Sequence, residues 1–235
     1  AHSRRLSNYI RSLLDAYQSS GLQNSGLAGL VRLGRINRLL PSDGRKPLLL
    51  EKQTYPSERK AQGKLGLFQG CMGSLLDQGT VSAAIKVLNR AGYDVYLPDR
   101  QTCCGALDLH SGDVPMAEKL AERNAEAFSD RSLDAIVTIA SGCGAVLQEY
   151  DDRVVSEKVI DISHFLLQFN GLENLQLAEL DVRVTVHTPC SLRNVLRTEA
   201  SSVQLLKRIP GLEVSELPEF IKCCGSAGSY VLELP

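Results

Sequence analysis

The stretch Leu65-Gly66-Leu67-Phe68-Gln69-Gly70-Cys71-Met72-Gly73 sets the reading of the fold: a short buried strand runs into a cysteine flanked by glycines. Downstream, Val81, Ala84, Ile85 and Leu88 recur at i, i+3, i+4 and i+7, the spacing of one helical face, and Ala91-Gly92 stops that helix. Tyr93 to Leu97 reads as a second strand, with Cys103-Cys104-Gly105 just past its end. After Pro115, the residues Met116, Leu120 and Ala127 mark another helix. Leu133 to Ala140 is then a near-continuous apolar strand leading into Ser141-Gly142-Cys143-Gly144. Strand, helix, strand, helix, strand implies right-handed crossovers and an α/β fold with a mainly parallel sheet covered on both faces. Cys71, the Cys103-Cys104 pair and Cys143 each follow a strand. A parallel arrangement therefore delivers all four to the carboxyl edge of one sheet, where open α/β sheets bind ligands.

The pattern occurs twice. Cys71 is followed after 31 intervening residues by Cys103-Cys104-Gly105, and Cys190 after 32 by Cys223-Cys224-Gly225. Gly92-Tyr93-Asp94-Val95 stands at the same distance from Cys71 as Gly211-Leu212-Glu213-Val214 does from Cys190, and Leu97-Pro98 matches Leu217-Pro218 with one residue inserted. Such self-similarity marks a duplicated unit. The expected organisation is a basic helical or linker segment over 1–63, a first unit over 64–170 and the opening half of a second over 180–235.

Composition narrows the function. The chain has 235 residues, 43% apolar and 23% charged, ample for a packed core, and no run reaches the roughly 18 apolar residues of a spanning helix. Five per cent aromatics, no Trp and a net charge of −1 argue against a nucleic-acid partner. The balance conceals an asymmetry: residues 1–65 carry 12 Lys or Arg against four acids, and the rest carries 14 against 23. A basic arm ahead of an acidic body suits an anionic counterpart, whether a partner subunit, a phospholipid surface or the body itself, and equally a solvated helix with Arg on its wet face. No signal-peptide pattern precedes the first unit, so the cytoplasm is the expected compartment.

Seven cysteines (Cys71, Cys103, Cys104, Cys143, Cys190, Cys223 and Cys224) in such a compartment are not a disulfide framework. Four thiols meeting at one sheet edge call for a soft metal, zinc or an iron-sulphur cluster. Zinc normally draws its thiolates from C-x2-C knuckles, and no two of these cysteines have that spacing. A vicinal pair can face one centre only if the backbone turns sharply, which Gly105 permits. A redox-active vicinal disulfide with Cys71 and Cys143 as exchange partners is the rival use of the same residues. His110 and His187 are candidates to donate to cluster sulphur or to ligate, and equally to satisfy a loop carbonyl. His164 reads as a core or helix-surface residue. No dinucleotide fingerprint, P-loop or nucleophile elbow is present.

The motifs Phe68-Gln69-Gly70-Cys71-Met72, Cys103-Cys104-Gly105-Ala106, Ala140-Ser141-Gly142-Cys143-Gly144, His187-Thr188-Pro189-Cys190 and Cys223-Cys224-Gly225-Ser226-Ala227-Gly228 resemble the cysteine-rich CCG domain. That domain is found duplicated in heterodisulphide reductases and in iron-sulphur subunits of flavin-dependent hydroxy-acid dehydrogenases. The pattern is most similar to the iron-sulphur subunits of glycolate oxidase (glycolate dehydrogenase), with the lactate-utilisation iron-sulphur proteins sharing the domain. The resemblance implies an electron-transfer subunit of an oxidoreductase, with a [4Fe-4S] cluster held by the cysteines and FAD on a partner dehydrogenase subunit. It implies further that electrons pass towards quinone at the inner face of the plasma membrane. Three departures stand out. Val146 occupies the position of the motif's final cysteine, Thr188 stands where Asp is expected, and by spacing the second unit's fourth thiol would fall near position 263. The missing fourth thiol, with no ferredoxin-like cysteine run before Cys71, makes the chain read as an internal fragment, inactive towards glycolate on its own. A zinc-stabilised or metal-free scaffold that docks partner subunits is the alternative.

Overall fold

The computed structural model describes residues 9, 12–14, 16, 17, 20, 50, 52–130, 132–168, 172, 175–218 and 223–225. Most of the basic segment expected over 1–63 lies outside them. Positions 9, 12–14, 16 and 17 are helical, but 52–63 is not. There Thr54–Tyr55 forms a strand (β1), and the Gln53 carbonyl accepts from the Leu97 N–H. The β-branched and aromatic pair suits an edge strand better than a helix.

The strand expected at 65–68 begins two residues earlier, as β2 (Gly63–Phe68). Helix α1 (Gly70–Leu75) follows directly, and α2 (Gln78–Arg90) starts where the Asp77 carboxylate accepts from the Thr80 N–H. Val81, Ala84, Ile85 and Leu88 form its buried stripe, as their spacing requires. Gly92, at φ +101°, turns the chain into β3 (Tyr93–Tyr96). Two helices then intervene, α3 (Ala106–Ser111) and α4 (Val114–Ala127), the second capped by Asp113 with Pro115 in its first turn. Strand β4 (Ala135–Thr138) is buried throughout and shorter than the 133–140 expected, because Ala140 already opens helix α5 (Ser141–Gln148). Helix α6 (Arg153–Ser156), strand β5 (Val159–Asp161) and helix α7 (Ile162–Gln168) complete the first unit.

Among the described residues this unit has a five-stranded sheet in the order β1-β3-β2-β4-β5, with β1 antiparallel at the edge and the other neighbours parallel. Because side chains alternate across a strand, Leu65, Leu67, Val95 and Val137 join α2 and α7 in one core. Phe68, Ile136 and Val159 join Phe128, Leu133, Leu147 and Cys104 in the other. Both faces are therefore covered, as a parallel sheet demands.

The duplication predicted from cysteine spacing is a duplication of structure. Strand β6 (Val182–Val186) pairs in parallel with β7 (Leu212–Glu216), and Val182 lies opposite Leu212 as Gly63 lies opposite Tyr93, 30 positions apart in both units. Gly211, at φ +78°, enters β7 as Gly92 enters β3. Between them run a π-helical segment (Leu192–Leu196) and helix α8 (Glu199–Leu206). His164 belongs to neither core: its Nδ1 is hydrogen-bonded at 2.9 Å to Ser201 Oγ, joining α7 of the first unit to α8 of the second.

A cysteine cluster at the carboxyl edge of the sheet

Each thiol of the first unit is delivered by the end of a parallel strand. Cys71 sits in the first turn of α1 after β2, Cys103 and Cys104 in the loop after β3, and Cys143 in the first turn of α5 after β4. The expected sharp turn is made by Gly105, at φ +85°, where an added Cβ would meet the Ala117 backbone at 3.2 Å. It swings the chain into α3 so that Cys103 and Cys104 turn to the same cluster.

The thiols meet. Cys71 Sγ lies 3.7 Å from Cys103 Sγ, and Cys104 is hydrogen-bonded to both Cys103 and Cys143. The position of a Gly70 Cβ is 3.7 Å from Cys143 Sγ, so the bare glycine leaves that sulphur its room. Cys104 is buried, and Cys71, Cys103 and Cys143 are half-buried. Backbone N–H groups of Met72 and Ala106 point at the sulphurs of Cys71 and Cys104.

Crowding of like groups governs their ionisation. The hydrogen bond to Cys103 and burial push the Cys71 thiol far above its ordinary range. Contacts with Cys103 and Cys143, and again burial, do the same for Cys104. Cys143 goes the other way, because Cys104 donates to it and so favours its thiolate. A cation bound here would displace the protons that Cys71 and Cys104 hold. Among the described residues no three His, Cys, Asp or Glu side chains are set around one point as ligands of a single ion. A polynuclear centre takes one thiolate per iron and has no need of such a point. Four thiols, two sulphur-directed N–H groups and a bare glycine suit it as a donor set.

A polar scaffold behind the cysteines was missed in the sequence. Gln101, buried, accepts from the Gln69 N–H at 2.8 Å and donates to the carbonyls of Leu67 and Pro98, fixing the approach to Cys71. Asn124, fully buried on α4, accepts from the Thr102 N–H and donates to the Cys103 carbonyl at 2.9 Å. Tyr150 donates to the Cys104 carbonyl at 2.9 Å. Asn124 carried a readable signal, since it stands in the apolar stripe of Met116, Leu120 and Ala127, where a polar residue must find partners.

The family model of the cysteine-rich domain matches residues 65–148 and again 184–233. The chain belongs to the cysteine-rich domain family. Within this cysteine-rich domain protein the two matched segments begin in β2 and β6, the first strands of the two parallel pairs. It is 34% identical to the probable glycolate oxidase iron-sulfur subunit of Bacillus subtilis, over 97% of this chain and 56% of that protein. It is 33% identical to a fumarate reductase (CoM/CoB) subunit of Methanothermobacter marburgensis, over 83% of this chain and 39% of that protein. Lactate utilization protein A of Geobacillus kaustophilus is 30% identical over 73% of this chain and 75% of its own length. The chain thus spans about half the length of the first of these relatives.

The second cysteine set stands differently. Cys190, Cys223 and Cys224 are all exposed. Cys190 lines a cavity of about 700 Å³ with His187, Arg193, Glu199, Lys207 and Glu216. His187 Nε2 is buried there without a hydrogen-bond partner among the described residues, so this histidine serves no described loop carbonyl through that atom. His110 is exposed on α3, away from any thiol contact the structure shows. Ser191, next to Cys190, donates to Ser141 Oγ at 2.8 Å, which ties the second cysteine loop to the helix of Cys143.

Proposed function

We propose that this chain is the iron-sulphur electron-transfer part of a flavin-dependent 2-hydroxy-acid dehydrogenase, with glycolate the expected substrate. In this reading Cys71, Cys103, Cys104 and Cys143 hold a [4Fe-4S] cluster, and Cys190, Cys223 and Cys224 contribute to a second centre. The observation that carries it is the convergence of the four first-unit thiols, which stand far apart in the chain and within hydrogen-bonding reach in space. When bound, the cluster supplies one-electron chemistry. The chain's own residues hold it and tune it: the thiolates give charge, the Met72 and Ala106 N–H groups offset part of that charge, and burial of Cys104 excludes water.

Substrate oxidation belongs, in this reading, to an FAD-bearing partner subunit, and the electrons leave towards a quinone. Met72 and Leu107, exposed beside Cys71 and Cys104, give that subunit an apolar surface near the thiols. No helix among the described residues is long and apolar enough to cross a membrane. Membrane contact is accordingly assigned to the basic 1–65 segment against anionic lipid at the cytoplasmic face, as peripheral attachment.

Anaerobic reconstitution of the intact polypeptide tests the reading. Visible charge-transfer absorption and an electron-spin signal are expected, both lost in Cys104→Ser. Unchanged spectra in that variant refute the assignment. The 3.7 Å approach of Cys71 to Cys103 favours a second reading, a dithiol relay in which two thiols lose two electrons and two protons to a small-molecule disulfide. Bound iron and labile sulphide separate the two.

A further inference from the structure

Two buried side chains, neither of them a thiol, grip the backbone of the vicinal cysteines. Asn124 uses its whole amide: Oδ1 accepts from the Thr102 N–H at 2.8 Å, and Nδ2 donates to the Cys103 carbonyl at 2.9 Å and to Tyr150 Oη at 3.1 Å. Because a backbone N–H can only donate, the Thr102 contact fixes which way the amide faces. Tyr150 Oη donates its own proton to the Cys104 carbonyl at 2.9 Å. The chain Thr102, Asn124, Tyr150, Cys104 therefore closes on the carbonyls of the two consecutive cysteines. Tyr150 lies just beyond α5, the helix that carries Cys143 in its first turn. Segments bearing three of the four thiols are thereby joined through two side chains.

We infer that Asn124 and Tyr150 are positioning residues that lock the peptide planes of Cys103 and Cys104 and so set the reduction potential of the centre these thiols hold. The inference rests on the iron-sulphur reading above. In a trans peptide the carbonyl and the following N–H point in opposite directions, and no peptide here is cis. Anchoring the Cys103 carbonyl on Asn124 turns the Cys104 N–H away from that asparagine. Anchoring the Cys104 carbonyl on Tyr150 does the same for the Gly105 N–H. The next amide, that of Ala106, already points at the Cys104 sulphur. Each anchored carbonyl also has its negative end neutralised by a donor. A carbonyl without that donor places more negative charge beside the thiolates, which favours the oxidised centre and lowers its potential.

Tyr150→Phe removes one hydroxyl and keeps the ring. Asn124→Asp keeps the acceptor for Thr102 and removes both donors. The full-length polypeptide is reconstituted anaerobically, and iron content, electron-spin spectrum and midpoint potential are compared with wild type. Tyr150→Phe is expected to bind iron as wild type does, with altered spin-spectrum anisotropy. Its midpoint is expected to move negative by about tenfold in the redox equilibrium, about 59 mV for a one-electron couple. Asn124→Asp should move it further in the same direction. A Tyr150→Phe protein with full iron, wild-type midpoint and wild-type spin spectrum overturns the inference; should that variant not fold, the same three readouts on Asn124→Asp decide it. Wild-type protein that takes up no iron overturns the iron-sulphur reading itself, an outcome distinct from an unmoved midpoint.

Discussion

The two units share a backbone plan and differ in what surrounds it. Both pair a strand with the residue 30 positions on, and both enter the second strand through a glycine at positive φ. Both carry a cysteine just past the first strand and a Cys-Cys-Gly after the second. Yet in the first unit the four thiols meet, and in the second all three are exposed. The difference lies in the neighbours of the paired strands. Beside β2 runs β4, which delivers Cys143, and behind the loop lies α4, which delivers Asn124. Among the described residues β6 has β7 as its one strand neighbour, and Val182 remains 45% exposed where the first sheet is covered on both faces. A strand pair repeats a register; it takes a third strand and two helical layers to gather ligands.

The sharpest break in that comparison is a pair of serine substitutions. Cys71→Ser is expected to abolish the visible absorption of the first centre on reconstitution, and Cys190→Ser to leave it in place. Equal losses in the two variants would mean that both units contribute to one site. Core truncation comes next. Phe128, fully buried against Phe68 at a ring separation of 6.1 Å, should cost about 3–5 kcal/mol as Phe128→Ala in urea unfolding. Val182→Ala on the open sheet should cost below about 0.5 kcal/mol. A large loss at Val182 would show that the second sheet is covered in solution.

The glycines of the two Cys-Cys-Gly turns sharpen the contrast further. Gly105 and Gly225 share a left-handed backbone, at φ +85° and +72°. An alanine at either is strained by about 1–2 kcal/mol. At 105 the new Cβ also meets the Ala117 backbone at 3.2 Å, whereas at 225 nothing among the described residues lies within 4 Å. Thermal unfolding should therefore place Gly105→Ala clearly below Gly225→Ala, and coincident melts would contradict the packing at α4.

The smallest effect concerns charge. Lys64 Nζ lies 2.7 Å from Asp130, each about a third exposed, while Arg183, at the place in β6 that Lys64 takes in β2, pairs with a different partner, Glu213 on β7, and both are far more exposed. Lys64, with Ser132, holds the Asp130 carboxyl well below the usual carboxylate range. A depressed acid adds stability above its unfolded pKa, near 3.9, and loses it as the pH falls further. Asp130→Asn should cost up to about 1 kcal/mol at neutral pH and progressively less below about pH 4, with Glu213→Gln nearer zero throughout. A cost for Asp130→Asn that persists at low pH would point to the Ser132 hydrogen bonds rather than the ion pair.

Most of the fold was legible because its signals are local. The helix Gln78–Arg90 followed from Val81, Ala84, Ile85 and Leu88, and the strand ends from glycines and cysteines beside them. The short helices starting at Gly70, Ala106 and Ser141 were not read, since six to eight residues are too few to show a helical period. Thr54–Tyr55 was hidden for a related reason: a two-residue edge strand exists through its partner β3.

Spacing alone, repeated 119 positions later from Cys71 to Cys190, determined that this chain is a duplicated α/β unit whose thiols follow strand ends. Tertiary structure decided which thiols meet and what holds them. Sγ-to-Sγ approach and the grip of Asn124, Tyr150 and Gln101 on distant carbonyls and amides depend on strand order and helix placement. Strand order and helix placement arise from burying both faces of one sheet at once, and no local stretch of sequence encodes that.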